Sequence, residues 1–198
     1  MFKSPDVAYA RTEQVLDDSN NNLMISMEAP EDWNSGKLSM TVLNLDWKLN
    51  GLFATNFATK LFGSSDVPVA FFAVSNAPSL ANAAIPIVQK LGLISFALSQ
   101  FITIKSESDL TLSDGSPAHL YSISASVEQL QKLKVPLDKA LDVVLISTQQ
   151  QDKTYIVLYA TELGKMAHYQ SVFDNMLNSV MIGNASFSNM GSPSTPVP

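Results

Sequence analysis

An α+β sandwich built on a mainly antiparallel sheet is what this sequence predicts. Two successive hairpin patterns fill the second half of the chain, and two helical patterns, one apolar and one amphipathic, bracket them. Hydrophobic residues make up 46% of the 198 positions and charged residues only 15%, so the chain folds around a core and does not stay open through self-repulsion.

Val7 to Leu16 supplies a first strand, and Leu23 to Met27 alternates apolar and polar positions as a second. That strand runs into Ala29-Pro30-Glu31-Asp32-Trp33, where proline cannot continue a central ladder and Asn34-Ser35-Gly36 is turn chemistry. Alternation resumes over Leu38 to Trp47, so the two strands are expected to form an antiparallel pair joined by this corner. Leu49 to Phe62, rich in Phe and bounded by Gly51 and Gly63, reads as a loop or a short helix. Val67 to Val74 is nearly continuous in apolar residues, which suits a central strand covered on both faces.

Ser79 caps a long apolar helix reaching Phe101, with Leu80, Ala84, Ile87, Leu91, Ile94 and Leu98 at helical steps and Pro86 and Gly92 bending it. Asn82, Pro86, Gln89, Lys90 and Gln100 interrupt the stretch too often for a membrane span. The period returns to two over Phe101 to Leu112, a turn follows at Ser113-Asp114-Gly115-Ser116, and His119 to Ala125 completes a hairpin. Val127 to Lys134 gives a brief helical turn. Leu141 to Thr148 and Thr154 to Thr161 form the second hairpin, strong in β-branched residues. Glu162 to Met181 closes the fold as an amphipathic helix with Met166, Tyr169, Val172, Phe173, Met176 and Leu177 on one side. Residues 1–182 are expected to form one domain, and residues 183–198, ending in Ser and Pro, a flexible tail.

The local sequences carry a resemblance as well. Met27-Glu28-Ala29-Pro30-Glu31-Asp32-Trp33 resembles the strand-to-turn corner of PsbP-like proteins, Thr154 to Ala160 resembles their penultimate strand, and Tyr169 to Ile182 their closing helix, with Val180 where Phe is usual. This resemblance spans residues 7 to 182 and implies a three-layer α-β-α sandwich, the fold also of Ran-binding nuclear import factors. Its relatives are mostly non-enzymatic binding or assembly proteins, often outside the cytoplasm and sometimes membrane-anchored. No photosystem-binding or Ran-binding motif of theirs is matched here.

Composition narrows the function classes. Twelve Lys and Arg against eighteen Asp and Glu give a net charge of -6, the wrong sign for a nucleic-acid or anionic-lipid surface. With no cysteine, thiolate chemistry and zinc fingers are excluded. Met1 to Ala10 shows no signal peptide as written; a trimmed leader would leave the same sequence. His119 reads as a strand histidine facing a loop or a hydrogen-bond partner, and His168 as a solvated helix residue without a carboxylate at ligand spacing. Glu107 and Asp109 share a strand face as surface charge, with weak binding of a hard cation such as calcium the sharper alternative. No nucleophile elbow, dinucleotide turn or phosphate loop is present, so no enzyme and no cofactor is expected. An enzyme would require His119 or His168 within hydrogen-bond distance of carboxylates.

Trp33, Trp47, Phe53 and Phe57 are the residues expected to contact a partner or ligand, the competing reading for Trp33 being a plug at the corner. The function expected is that of a non-catalytic accessory or assembly protein of a larger, membrane-bound complex, acting outside the cytoplasm through contact with a protein partner. The alternative is a small-ligand carrier with an apolar pocket between the sheet and the helix over 79–101.

Overall fold

β-Branched residues repeating along both arms of the second hairpin set the centre of the architecture. In the computed structural model, which describes residues 8–16, 23–42, 47–56, 70–77, 103–132, 138–150, 153–183 and 185–187, these arms are β8 (Leu141–Gln150) and β9 (Lys153–Glu162), paired along their full lengths. They lie inside a seven-stranded sheet whose order is β3-β4-β5-β9-β8-β7-β6, with β3 (Asn34–Val42), β4 (Trp47–Thr55), β5 (Ala70–Ala77), β6 (Thr103–Thr111) and β7 (Pro117–Ala125). Every neighbouring pair is antiparallel. A second sheet, β1-β2-β10-β11, joins β1 (Tyr9–Leu16) and β2 (Leu23–Pro30) to β10 (Met181–Ile182) and β11 (Ala185–Ser186). Two described helices, α1 (Val127–Lys132) and α2 (Met166–Ser179), complete an α+β fold.

Register places the core. Leu52, Val74, Val157, Ile146 and Leu120 stand opposite one another in one row across five strands, and Ala54, Phe72, Tyr159 and Val144 in the next. All are buried. The apolar side of α2, with Met166, Tyr169, Phe173, Met176 and Leu177, lies on this face, where Phe173 meets Tyr159 at a ring separation of 4.4 Å. Ile25, Met27 and Ala29 of β2 join the same core, so α2 and the small sheet cover one face together.

Several expectations are corrected. The strands on either side of the Pro30 corner do not pair with each other: β2 pairs with β1 and β10, while β3 pairs with β4. Proline has no N–H to give a ladder, and the Trp33 N–H closes the turn on the Pro30 carbonyl at 3.0 Å, so the chain leaves one sheet for the other here. Residues 47–55, expected as strand end, loop or short helix, are strand β4, because Leu52 and Ala54 alternate inward and Gly51 admits the backbone of β5. The closing helix begins at Met166 and not at Glu162, which belongs to β9; Gly164, at φ 77°, turns the chain between them. Residues 185–187, expected within the tail, belong to the fold. Ala185 and Ser186 pair with β10, the Ser113 N–H donates to the Ser186 carbonyl at 3.0 Å, and Phe187 is fully buried. The helix expected over 79–101 and the start of the strand over 67–69 lie outside the described residues.

Buried tyrosines give this core an alkaline limit. Burial, then the charge of Asp174, holds the Tyr159 hydroxyl well above its ordinary range; burial is also the main cause of the raised values at Tyr121 and Tyr169. An unfolded tyrosine ionises near about pH 10, whereas the folded ones keep their protons. The native state thus binds more protons than the unfolded state above that pH, and stability falls as pH rises through it. Urea midpoints measured at pH 8 and above pH 10 should show this loss, and Tyr159→Phe should make it smaller.

Candidate functional site

The residues expected to make contacts separate into a buried group and a half-exposed one. Trp33, at 9% exposure, packs edge-on against Tyr169 with ring centroids 5.9 Å apart. Asn56 donates to the Tyr169 hydroxyl at 2.5 Å, and its carbonyl oxygen accepts the Ala70 N–H at 2.7 Å. One side chain thereby ties the end of β4, the start of β5 and α2 behind the corner. Phe53, by contrast, alternates out of the α2-facing row and is half-buried, its ring stacked on Phe71 at 6.4 Å and 12°. Trp47 is the first residue of β4, opposite Val42; its side chain and the whole of Phe57 lie outside the described residues.

A second cluster stands at the other end of the large sheet, on the edge hairpin. Asp109 and His119 are directly opposite in register, as are Glu107 and Tyr121. The His119 Nδ1 lies 2.6 Å from Asp109 Oδ1, its Nε2 lies 3.5 Å from Glu107 Oε2, and its ring meets Tyr121 edge-on at 4.6 Å. Both carboxylates are exposed, 88% for Asp109 and 64% for Glu107, while the imidazole is mostly covered at 16%. Their negative charge adds to burial in raising the Tyr121 hydroxyl. Glu107, Asp109 and His119, expected as separate surface or loop-facing groups, are therefore one assembly. His168 is exposed and contacts the edge of Tyr169.

Among the described residues, the nearby cation Lys105 is paired away from this assembly. A bulge between Ile104 and Ser106 sets Lys105 apart, and its ammonium pairs with Asp142 on β8 at 2.6 Å. Asp142 also accepts the Gly164 N–H at 2.7 Å, so the lysine is held at the β9–α2 turn. Ser147 stands opposite His119 on β8, giving Asp109, His119 and Ser147 in line across three strands. That line is not a nucleophile and its base: the Ser147 hydroxyl is buried without a hydrogen bond, and the two imidazole nitrogens face Asp109 and Glu107. The distance condition set for an enzyme is met at His119, yet its carboxylates stand out in solvent.

Compared with known proteins, the sequence matches no family model and no curated protein. Among solved structures, the Ran-binding protein Mog1p of Saccharomyces cerevisiae covers 88% of this chain and 96% of its own at 10% identity and a TM-score of 0.44. Cyanobacterial PsbP from Synechocystis sp. PCC 6803 covers 92% of this chain and 98% of its own, at 10% identity and a TM-score of 0.50. The antiparallel seven-stranded sheet with α2 on its face is thus similar in fold to that PsbP, and the chain has the PsbP-like α+β fold.

Proposed function

We propose that this chain is a non-catalytic accessory or assembly protein that works through protein–protein contact, outside the cytoplasm, on a larger membrane-bound complex. The observation that carries the reading is the Phe53–Phe71 stack, half-buried on the sheet face turned away from α2. Stacked rings that keep solvent contact offer large apolar area at low side-chain entropy cost, which is why aromatic residues concentrate at the centres of protein interfaces. Trp47 and Phe57 are proposed as further contacts of the same aromatic run. No described helix is long and apolar enough to cross a membrane.

Affinity isolation from native membranes tests this with the chain and its Phe53→Asp variant side by side. A stoichiometric protein partner is expected with the former and at least a tenfold smaller yield with the latter, Phe53→Leu being retained as the control for folding. Recovery of no stoichiometric partner, or equal recovery with Phe53→Asp, would sink the reading.

A further inference from the structure

We infer that His119 Nε2 and Glu107 Oε2 are a ready-made pair of ligands for a borderline divalent transition ion of the zinc type, with Asp109 as the group that orients the imidazole. The argument starts from two unequal distances. At 2.6 Å, the contact of His119 Nδ1 with Asp109 Oδ1 is a short hydrogen bond, and in the tautomer that donates it from Nδ1 the Nε2 lone pair is left on the Glu107 side. The 3.5 Å from Nε2 to Glu107 Oε2 is longer than the roughly 2.9 Å preferred by an N–H···O bond. It is close to the separation of two donors that share one tetrahedral ion, about 3.4 Å for donor–metal distances of about 2.1 Å.

The surroundings hold this geometry. Cross-strand register presents Glu107 and Asp109 on one face of β6, with the imidazole between them on β7, and the edge of Tyr121 packs against the ring. Lys105, the nearby ammonium that would compete for the carboxylates, is turned to Asp142. A carboxylate on the remote nitrogen of a ligating histidine is the usual arrangement around bound zinc, where it sets tautomer and ring angle. Imidazole also selects against calcium and magnesium, which take oxygen donors, so the ion differs from the hard cation expected for these carboxylates. Among the described residues no group of three or more His, Asp and Glu converges on one point. The pair accordingly leaves two positions for water or for a donor from a docked protein, and binding is weaker than at a closed structural site.

Titration of the untagged full chain with Zn²⁺, followed by calorimetry, tests the assignment. One ion per chain is expected, with an affinity at least about a hundredfold above that for Ca²⁺ under the same conditions. His119→Gln and Glu107→Gln should each weaken binding at least tenfold, and Asp109→Asn about tenfold with the stoichiometry kept. Nitrogen-15 spectra should show the metal-induced shift at His119 Nε2 and not at Nδ1. All three positions are on an edge hairpin, and circular dichroism confirms folding of each variant. Zinc binding that survives His119→Gln, zinc and calcium bound alike, or no binding at millimolar Zn²⁺ would each overturn the proposal. None of these outcomes depends on whether the Phe53 surface recruits a partner.

Discussion

Gly51→Ala is expected to destabilise the protein by about 3 kcal/mol or more, although it adds one methyl group. A Cβ at Gly51 falls 1.9 Å from the Val74 carbonyl oxygen and 2.6 Å from the Ser75 Cα. Both contacts are backbone of β5, which no side-chain rotation can relieve. β4 and β5 would have to separate, and with them the Leu52–Val74 and Ala54–Phe72 pairs at the base of the core. Gly36, on the adjacent strand β3, is the matched control: a Cβ there meets the edge of the Phe53 ring at 3.5 Å, an ordinary contact. Thermal unfolding of the two alanine variants should differ accordingly, Gly36→Ala staying near the parent and Gly51→Ala falling by about 6–12 °C. Equal midpoints for the two would mean that β4 and β5 do not approach as described.

The contrast between these glycines shows where the sequence is legible. Strong β-branched content in β8 and β9 and three- and four-residue steps in α2 are readable because each depends only on the segment's own residues. Gly51 depends on another strand. In isolation it looks like a breaker bounding a loop or short helix, and only the proximity of β5 explains it. The Pro30 corner is likewise visible as a stop in β2, but which sheet the chain enters next is decided by long-range pairing. At the edge hairpin one residue makes the difference. Placing the turn at Ser113-Asp114-Gly115-Ser116 locates the hairpin, yet the observed loop has three residues, with Leu112 N–H donating to Ser116 at 2.8 Å and Gly115 at φ 85°. This register sets His119 against Asp109; a two-residue loop would set it against Leu110. The candidate ligand set was therefore present in the sequence as residue types but not as neighbours.

Trp33→Ala should cost about 3–5 kcal/mol, the range for emptying a buried aromatic site, and its effect on binding should follow from that loss. Pro30 and Trp33 close the corner through one backbone hydrogen bond, and the indole fills the space between the corner and Tyr169. Removing it strips one side of the Tyr169 ring, whose hydroxyl accepts from Asn56, whose own carbonyl in turn accepts the Ala70 N–H. The vacancy therefore reaches the β4–β5 junction as well as α2, within a core cluster whose members Phe173, Met27 and Leu52 are already fully buried. Trp33→Phe, which keeps an aromatic edge against Tyr169, should recover more than half of the loss. The same pair of variants separates a plug from a contact. If the indole serves the fold, Trp33→Phe restores urea stability and partner recovery together. A Trp33→Ala protein as stable as the parent but unable to recover its partner would instead place the indole at the interface.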